Sequence, residues 1–169
     1  MYRFVGIIYF CCLASPLVAQ TCKFDSIVRS TPQGTFRDNG DGTATDTRYG
    51  LIWKRCVEGQ TWNGSTCTGT AASYTWDQAL VLADSAIFAG RSDWRLPNLK
   101  ELTSIVEESC YDPAVDLTVF LNAPSEWFWS ASHFAGSADY AWIVYFYYGY
   151  DGSSSRANAG RARLVCAGQ

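Results

Sequence analysis

Apolar and polar residues change rhythm several times along this chain. The first block, Phe4 to Val18, is almost wholly apolar, with Arg3 ahead of it and Leu17-Val18-Ala19 closing it on a small residue. That layout reads as an export signal over residues 1–19, removed after Ala19. The run is too short for a comfortable membrane span, and no other stretch approaches one. Residues 20–34 are polar and irregular and read as an N-terminal arm or linker, which leaves 35–169 as one domain. From Phe36 to Trp53 short alternating segments flank Asn39-Gly40-Asp41-Gly42, a strong turn signal, and predict a β-hairpin. Helical spacing follows over Thr75–Ala89, where Trp76, Ala79, Leu80, Ala83 and Ile87 share a face and Thr75 with Gln78 has capping-box spacing. A second helix is predicted from Asn98 to Ser109, with Glu101 as capping partner and Leu99, Leu102, Ile105 and Val106 as its stripe. Trp94-Arg95-Leu96-Pro97 before it is extended, because Pro97 disfavours helix at Leu96. Strands are predicted at 128–132, 140–148 and 161–166, with a Gly/Ser-rich loop after Tyr148. The class is α+β.

Composition sharpens one region. Residues 127–150 carry eleven of the 26 aromatic side chains, and D-G-S-S-S-R-A-N-A-G-R follows directly. One small core does not absorb so many rings from one segment, so some face outward. Tyr beside Ser, Gly and Asn is also binding-surface chemistry: rigid amphipathic rings next to adaptable hydrogen-bonding groups. Trp94, Trp127, Trp129 and Trp142 are read as packing residues. The residues selected for ligand contact are Tyr145, Tyr147, Tyr148, Tyr150, Ser154, Arg156 and Asn158.

Charge and cysteines bound the rest. Losing Arg3 with the signal takes the net charge from −3 to −4, which argues against a nucleic-acid partner. Arg156, Arg161 and Arg163 cluster near the C-terminus and read either as a solvated strand and loop or as a local anion patch. Five cysteines remain after the signal. Cys56 and Cys67 flank a turn around Asn63-Gly64 and read as a disulfide-closed hairpin, as suits an oxidising compartment. Spacing does not fix the others; a Cys22–Cys110 pair leaving Cys166 unpaired is the second assignment. Asp38, Asp41 and Asp46 gather near one turn, but Gly40 and Gly42 stand where a calcium loop needs oxygen ligands. No metal or cofactor is expected.

W-R-L-P-N-L-K-E-L at 94–102 resembles a known motif, as do D-N-G-D-G-T-A-T-D-T-R-Y-G-L-I-W-K-R at 38–55, W-F-W-S-A-S at 127–132, Y-A-W-I-V-Y-F at 140–146 and R-A-R-L-V at 161–165. Together and in this order they resemble the Lcl C-terminal-like domain of secreted or surface bacterial proteins, over roughly residues 35–166. The resemblance implies a C-type-lectin-like fold, two helices packed on small twisted antiparallel sheets. It also implies adhesion, with sulfated glycosaminoglycans as the ligand class of the name-giving adhesin. That adhesin's collagen-like repeat has no counterpart here, and neither do the E-P-N, Q-P-D and W-N-D motifs of calcium-dependent lectins. Related domains serve as variable proteins of diversity-generating retroelements, and residues 145–158 have the Tyr/Ser/Asn/Asp/Gly content of such a segment.

Enzyme chemistry has little to stand on. His133 is the one histidine, no G-x-S-x-G elbow occurs, and nothing selects a carboxylate pair from Glu107, Glu108 and Asp112. The expectation is therefore an exported, non-enzymatic domain of the periplasm, cell surface or exterior. It would recognise a glycan or protein through its C-terminal aromatic hairpin and loop. The alternative is a structural module of the bacterial envelope without a soluble ligand.

Overall fold

The computed structural model describes residues 20–168, so the expected signal lies outside the described residues. The arm at 20–34 is no free linker. It begins with β1 (Thr21–Cys22), reaches Thr31, which is fully buried, and docks along the domain. The 36–53 segment forms three strands rather than a single hairpin: β2 (Phe36–Asp38), β3 (Thr43–Asp46) and β4 (Leu51–Lys54), each antiparallel to the next. Gly40 and Gly42, at φ 79° and 88°, make the first turn. The nearby aspartates serve the local fold. Asp38 accepts from Gly40 N–H and pairs with Arg55, Asp41 caps Thr43, and Asp46 holds Arg48.

β5 (Thr61–Trp62) and β6 (Cys67–Thr68) make the expected small hairpin, closed by the Cys56–Cys67 disulfide. The predicted helix starts turn up as α1 (Trp76–Asp84), with the Thr75/Gln78 capping box, and α2 (Leu99–Ser104), with the Asn98/Glu101 box. Both helices end sooner than their apolar stripes implied. After α1, Phe88 and Arg91 exchange both backbone hydrogen bonds across Ala89 and Gly90, which sit at φ 50° and 71°. This tight turn turns Phe88 inward and leaves Ile87, placed by periodicity on the buried face, 80% exposed. After α2, Glu107 N–H bonds Ala114 O and draws the chain away, although Ile105 and Val106 still enter the core.

β7 (Cys110–Tyr111) pairs with β1, and the Cys22–Cys110 disulfide crosslinks this pair. β8 (Trp127–His133), β9 (Tyr140–Tyr145) and β10 (Tyr150–Ser155) form a three-stranded antiparallel sheet with β10 at one edge. The strand expected over 140–148 stops at Tyr145. The Gly/Ser stretch expected as a loop is β10, paired with β9 from Tyr150–Tyr145 to Ser155–Tyr140. Finally β11 (Val165–Ala167) adds to β4, completing a four-stranded sheet ordered β11-β4-β3-β2. The molecule is thus α+β, two short helices with several small antiparallel sheets.

The segment leading into β11 divides the core. Ala162, Leu164 and Cys166 point into a cluster with Trp76, Trp94 and Trp129, whereas Val165 packs with Trp53, Leu102, Phe120 and Phe128. An extended chain alternates its side chains between faces, so one short segment serves both halves. Each fully buried large apolar side chain contributes about 1.5–3 kcal/mol, so the tryptophans dominate this small core. Two of their indole N–H groups donate to carbonyls, Trp76 to Ser130 O and Trp129 to Tyr74 O, both at 2.8 Å, whereas the buried Trp53 indole N–H has no partner. Of the four tryptophans read as packing residues, Trp94 and Trp129 are buried and Trp127 and Trp142 half-buried.

Candidate functional site

The turn between β9 and β10 gathers the tyrosines. Tyr150 faces Tyr145 across the ladder, with ring centroids 5.5 Å apart. Tyr145 stacks on Tyr147 at 6.0 Å, and Tyr147 meets Tyr148 edge to face at 4.4 Å. Tyr148 in turn stacks on Tyr111, from β7, at 6.5 Å. The result is an unbroken chain of five rings. Tyr148 is 63% exposed and Tyr150 54%, while Tyr145 and Tyr147 are half-buried. None of the five hydroxyls is a buried polar atom without a partner.

Four features hold this patch in place. Gly149, at φ 82°, closes the turn by donating to Tyr145 O at 2.8 Å. A Cβ there would come within 2.6 Å of Val106 Cγ1, so glycine lets the turn lie against the core. The 112–114 segment grips the other side, with Asp112 N–H donating to Tyr147 O and Ala114 N–H to Phe146 O. Phe146 itself is buried, edge to face with Phe128, and anchors the turn between the exposed rings. The Cys22–Cys110 bond sits directly before Tyr111.

Asp112 gives the patch its charge. Its carboxylate, first among the neighbours, pushes the Tyr147 hydroxyl above the usual tyrosine range; Tyr148, burial, Tyr111 and Tyr145 act in the same direction. Tyr147 therefore stays a neutral donor at physiological pH. Tyr111 and Asp112 were not among the residues selected from sequence. They belong to another element, and the one sequence signal for them is their place beside Cys110.

The remaining selected residues lie elsewhere. Ser154 and Asn158 bond each other at 3.1 Å toward the far end of β10, Ser154 being roughly 14 Å from Tyr150 at 3.4 Å per residue. Arg156 pairs with Asp77, donates to Ala138 O and lies 4.2 Å over the Trp76 ring. It lines an open polar pocket of about 690 Å³ with Asp77, Asp139 and Tyr140. Each of the three arginines is engaged by groups of this chain. Arg161 pairs with Glu126 and donates to Ala71 O. Arg163 is 1% exposed, donates to Lys54 O and Arg55 O, and lies over the Phe120 ring. Burial pushes the Arg163 pKa down to about 9, opposed by Glu58, so it remains a cation at neutral pH. His133 sits edge-on to Trp76 at 4.7 Å. Cys166, the unpaired cysteine among the described residues, is fully buried, and burial raises its thiol pKa despite Arg91.

A second polar cluster supports the arm. Glu107 is 1% exposed and accepts from the backbone N–H of Ser30, Thr31 and Ser109 and from the hydroxyls of Thr31 and Ser109. Burial alone would raise its pKa, but these hydrogen bonds lower it to about 2.

Residues 42–166 match the sequence profile of the Lcl C-terminal domain. None of the curated proteins compared with the chain matches it.

Proposed function

The chain belongs to the Lcl C-terminal domain family, and on that premise we propose that it is an exported, non-catalytic recognition domain with a C-type-lectin-like fold. It holds a glycan or protein ligand on the tyrosine patch at the β9–β10 turn. The observation that carries this reading is the continuous contact of five tyrosine rings, two of them more than half exposed, on a turn clamped by Gly149 and Phe146. Pre-organised rings lose little entropy on binding and offer both apolar faces and hydroxyls, as recognition surfaces require. The two disulfides fit an oxidising compartment and support export.

Immobilised glycan and protein panels test the reading. Saturable binding should be lost in the Tyr147→Ala, Tyr148→Ala double variant while its circular dichroism and melting curve stay those of the parent. Binding that survives both changes moves the site off the patch. A concentration-independent oligomer with the tyrosines shielded, seen by light scattering, would assign the patch to assembly instead.

A further inference from the structure

We propose that the tyrosine patch takes a cation, an Arg or Lys side chain presented on a basic segment of a partner protein, with the Asp112 carboxylate as its counter-charge. This rests on the recognition role above and narrows its ligand class. Among the described residues seven ion pairs engage seven carboxylates, those of Asp38, Asp46, Glu58, Asp77, Asp93, Glu101 and Glu126. Asp112 is not one of them: among the described residues no Lys or Arg lies within ion-pair distance of it. Its own backbone N–H is bound to Tyr147 O, which sets the residue beside the rings.

The rings lead to the same conclusion. An aromatic face attracts cations through its quadrupole, and guanidinium groups stack on it well. This protein uses that contact repeatedly: Arg29 lies over Phe24, Arg55 over Trp62, Arg156 over Trp76 and Arg163 over Phe120. Over the five rings of the patch, no Arg or Lys of the described residues is placed. The carboxylate felt by the Tyr147 hydroxyl is that of Asp112; its other titratable neighbours are the tyrosines of the patch. The patch is therefore a π surface beside the Asp112 carboxylate, which no ion pair engages, as none engages Asp151 next to Tyr150, on a domain of net charge −4 once Arg3 is removed. An acidic ligand would meet Asp112, while Arg156 and Arg161 are held by Asp77 and Glu126.

The test is a titration of the protein with three probes, followed by amide NMR and calorimetry. They are a twelve-residue Arg-Gly repeat peptide, its Glu-Gly counterpart, and the neutral sugar cellotetraose. The Arg-Gly peptide should bind saturably, shift resonances of residues 111–112 and 145–150, and weaken as salt rises from ~50 to ~300 mM. Asp112→Asn should lower its affinity about three- to fivefold, the range of an exposed ion pair. Asn tolerates the φ of 55° found at Asp112, so this variant keeps the fold, which unchanged resonances away from the patch confirm. Tyr148→Ala, at an exposed ring, should weaken binding as well. Equal affinity for the Glu-Gly peptide, indifference to Asp112→Asn, or no Arg-Gly shift at these residues overturns the proposal. Cellotetraose alone shifting the same resonances would overturn it while leaving the recognition role in place. Ligands from the panels binding away from these residues would remove both.

Discussion

Replacing Glu107 with Gln should destabilise the domain in a pH-dependent way. The side chain is buried without an ion-pair partner, and five donors converge on its two oxygens. Its pKa falls from 4.5 to about 2. At about 1.4 kcal/mol per tenfold change in proton affinity, that is about 3 kcal/mol of preference for the ionised form in the folded state. Because the folded pKa is depressed, the contribution is complete above pH ~4.5 and is lost as pH falls toward ~2. Gln keeps the shape but carries no charge, and it turns an NH₂ toward either the Thr31 or the Ser109 donors. Leaving buried donors unpaired adds a cost of about 1–3 kcal/mol that does not vary with pH. Urea denaturation of both proteins between pH 7 and pH 2.5 separates the two parts. The stability gap should shrink by about 3 kcal/mol across that range and keep a residual. A gap constant with pH would show that the charge on Glu107 is not what its donors stabilise.

Two further substitutions probe what holds the patch. Gly149→Ala meets a positive φ and the Val106 methyl at once, so it should cost about 1–3 kcal/mol and displace the tyrosines, read by melting temperature and by shifts at 145–150. A melting curve like the parent's would mean the turn is not clamped there. Replacing both Cys22 and Cys110 with Ser opens a link of sequence separation 88, worth about 4–5 kcal/mol, against about 3 for the Cys56–Cys67 link of separation 11. Equal losses for the two pairs in denaturant titrations would refute loop-closure entropy as the source of the difference.

What could be read from sequence was local. Both capping boxes and the Cys56–Cys67 hairpin were legible because the partners lie within one turn of each other in the chain. The four tyrosines were legible as a surface because they share one short segment. β10 was not, because Gly, Ser and Asp carry little strand preference of their own and six pairings with β9 impose the conformation. Arg163 misled for a related reason. Its charge reads as solvent-facing, but alternation along 162–166 turns it inward, where carbonyl oxygens and Phe120 receive it. Tyr111 and Asp112 had only their place beside Cys110 to mark them, since long-range packing of β7, fastened by Cys22, carries them to the patch.

The docking of the arm has a practical corollary. Gln20 donates its amide to Pro113 O and Val115 O, and Thr21 pairs with Tyr111, so the chain enters the fold next to the exposed rings. A tag, bead or carrier protein joined directly ahead of Gln20 would crowd the surface it is meant to display. Gly168 instead docks against Gly50 beside the four-stranded sheet, which makes the carboxyl end the better handle for immobilisation.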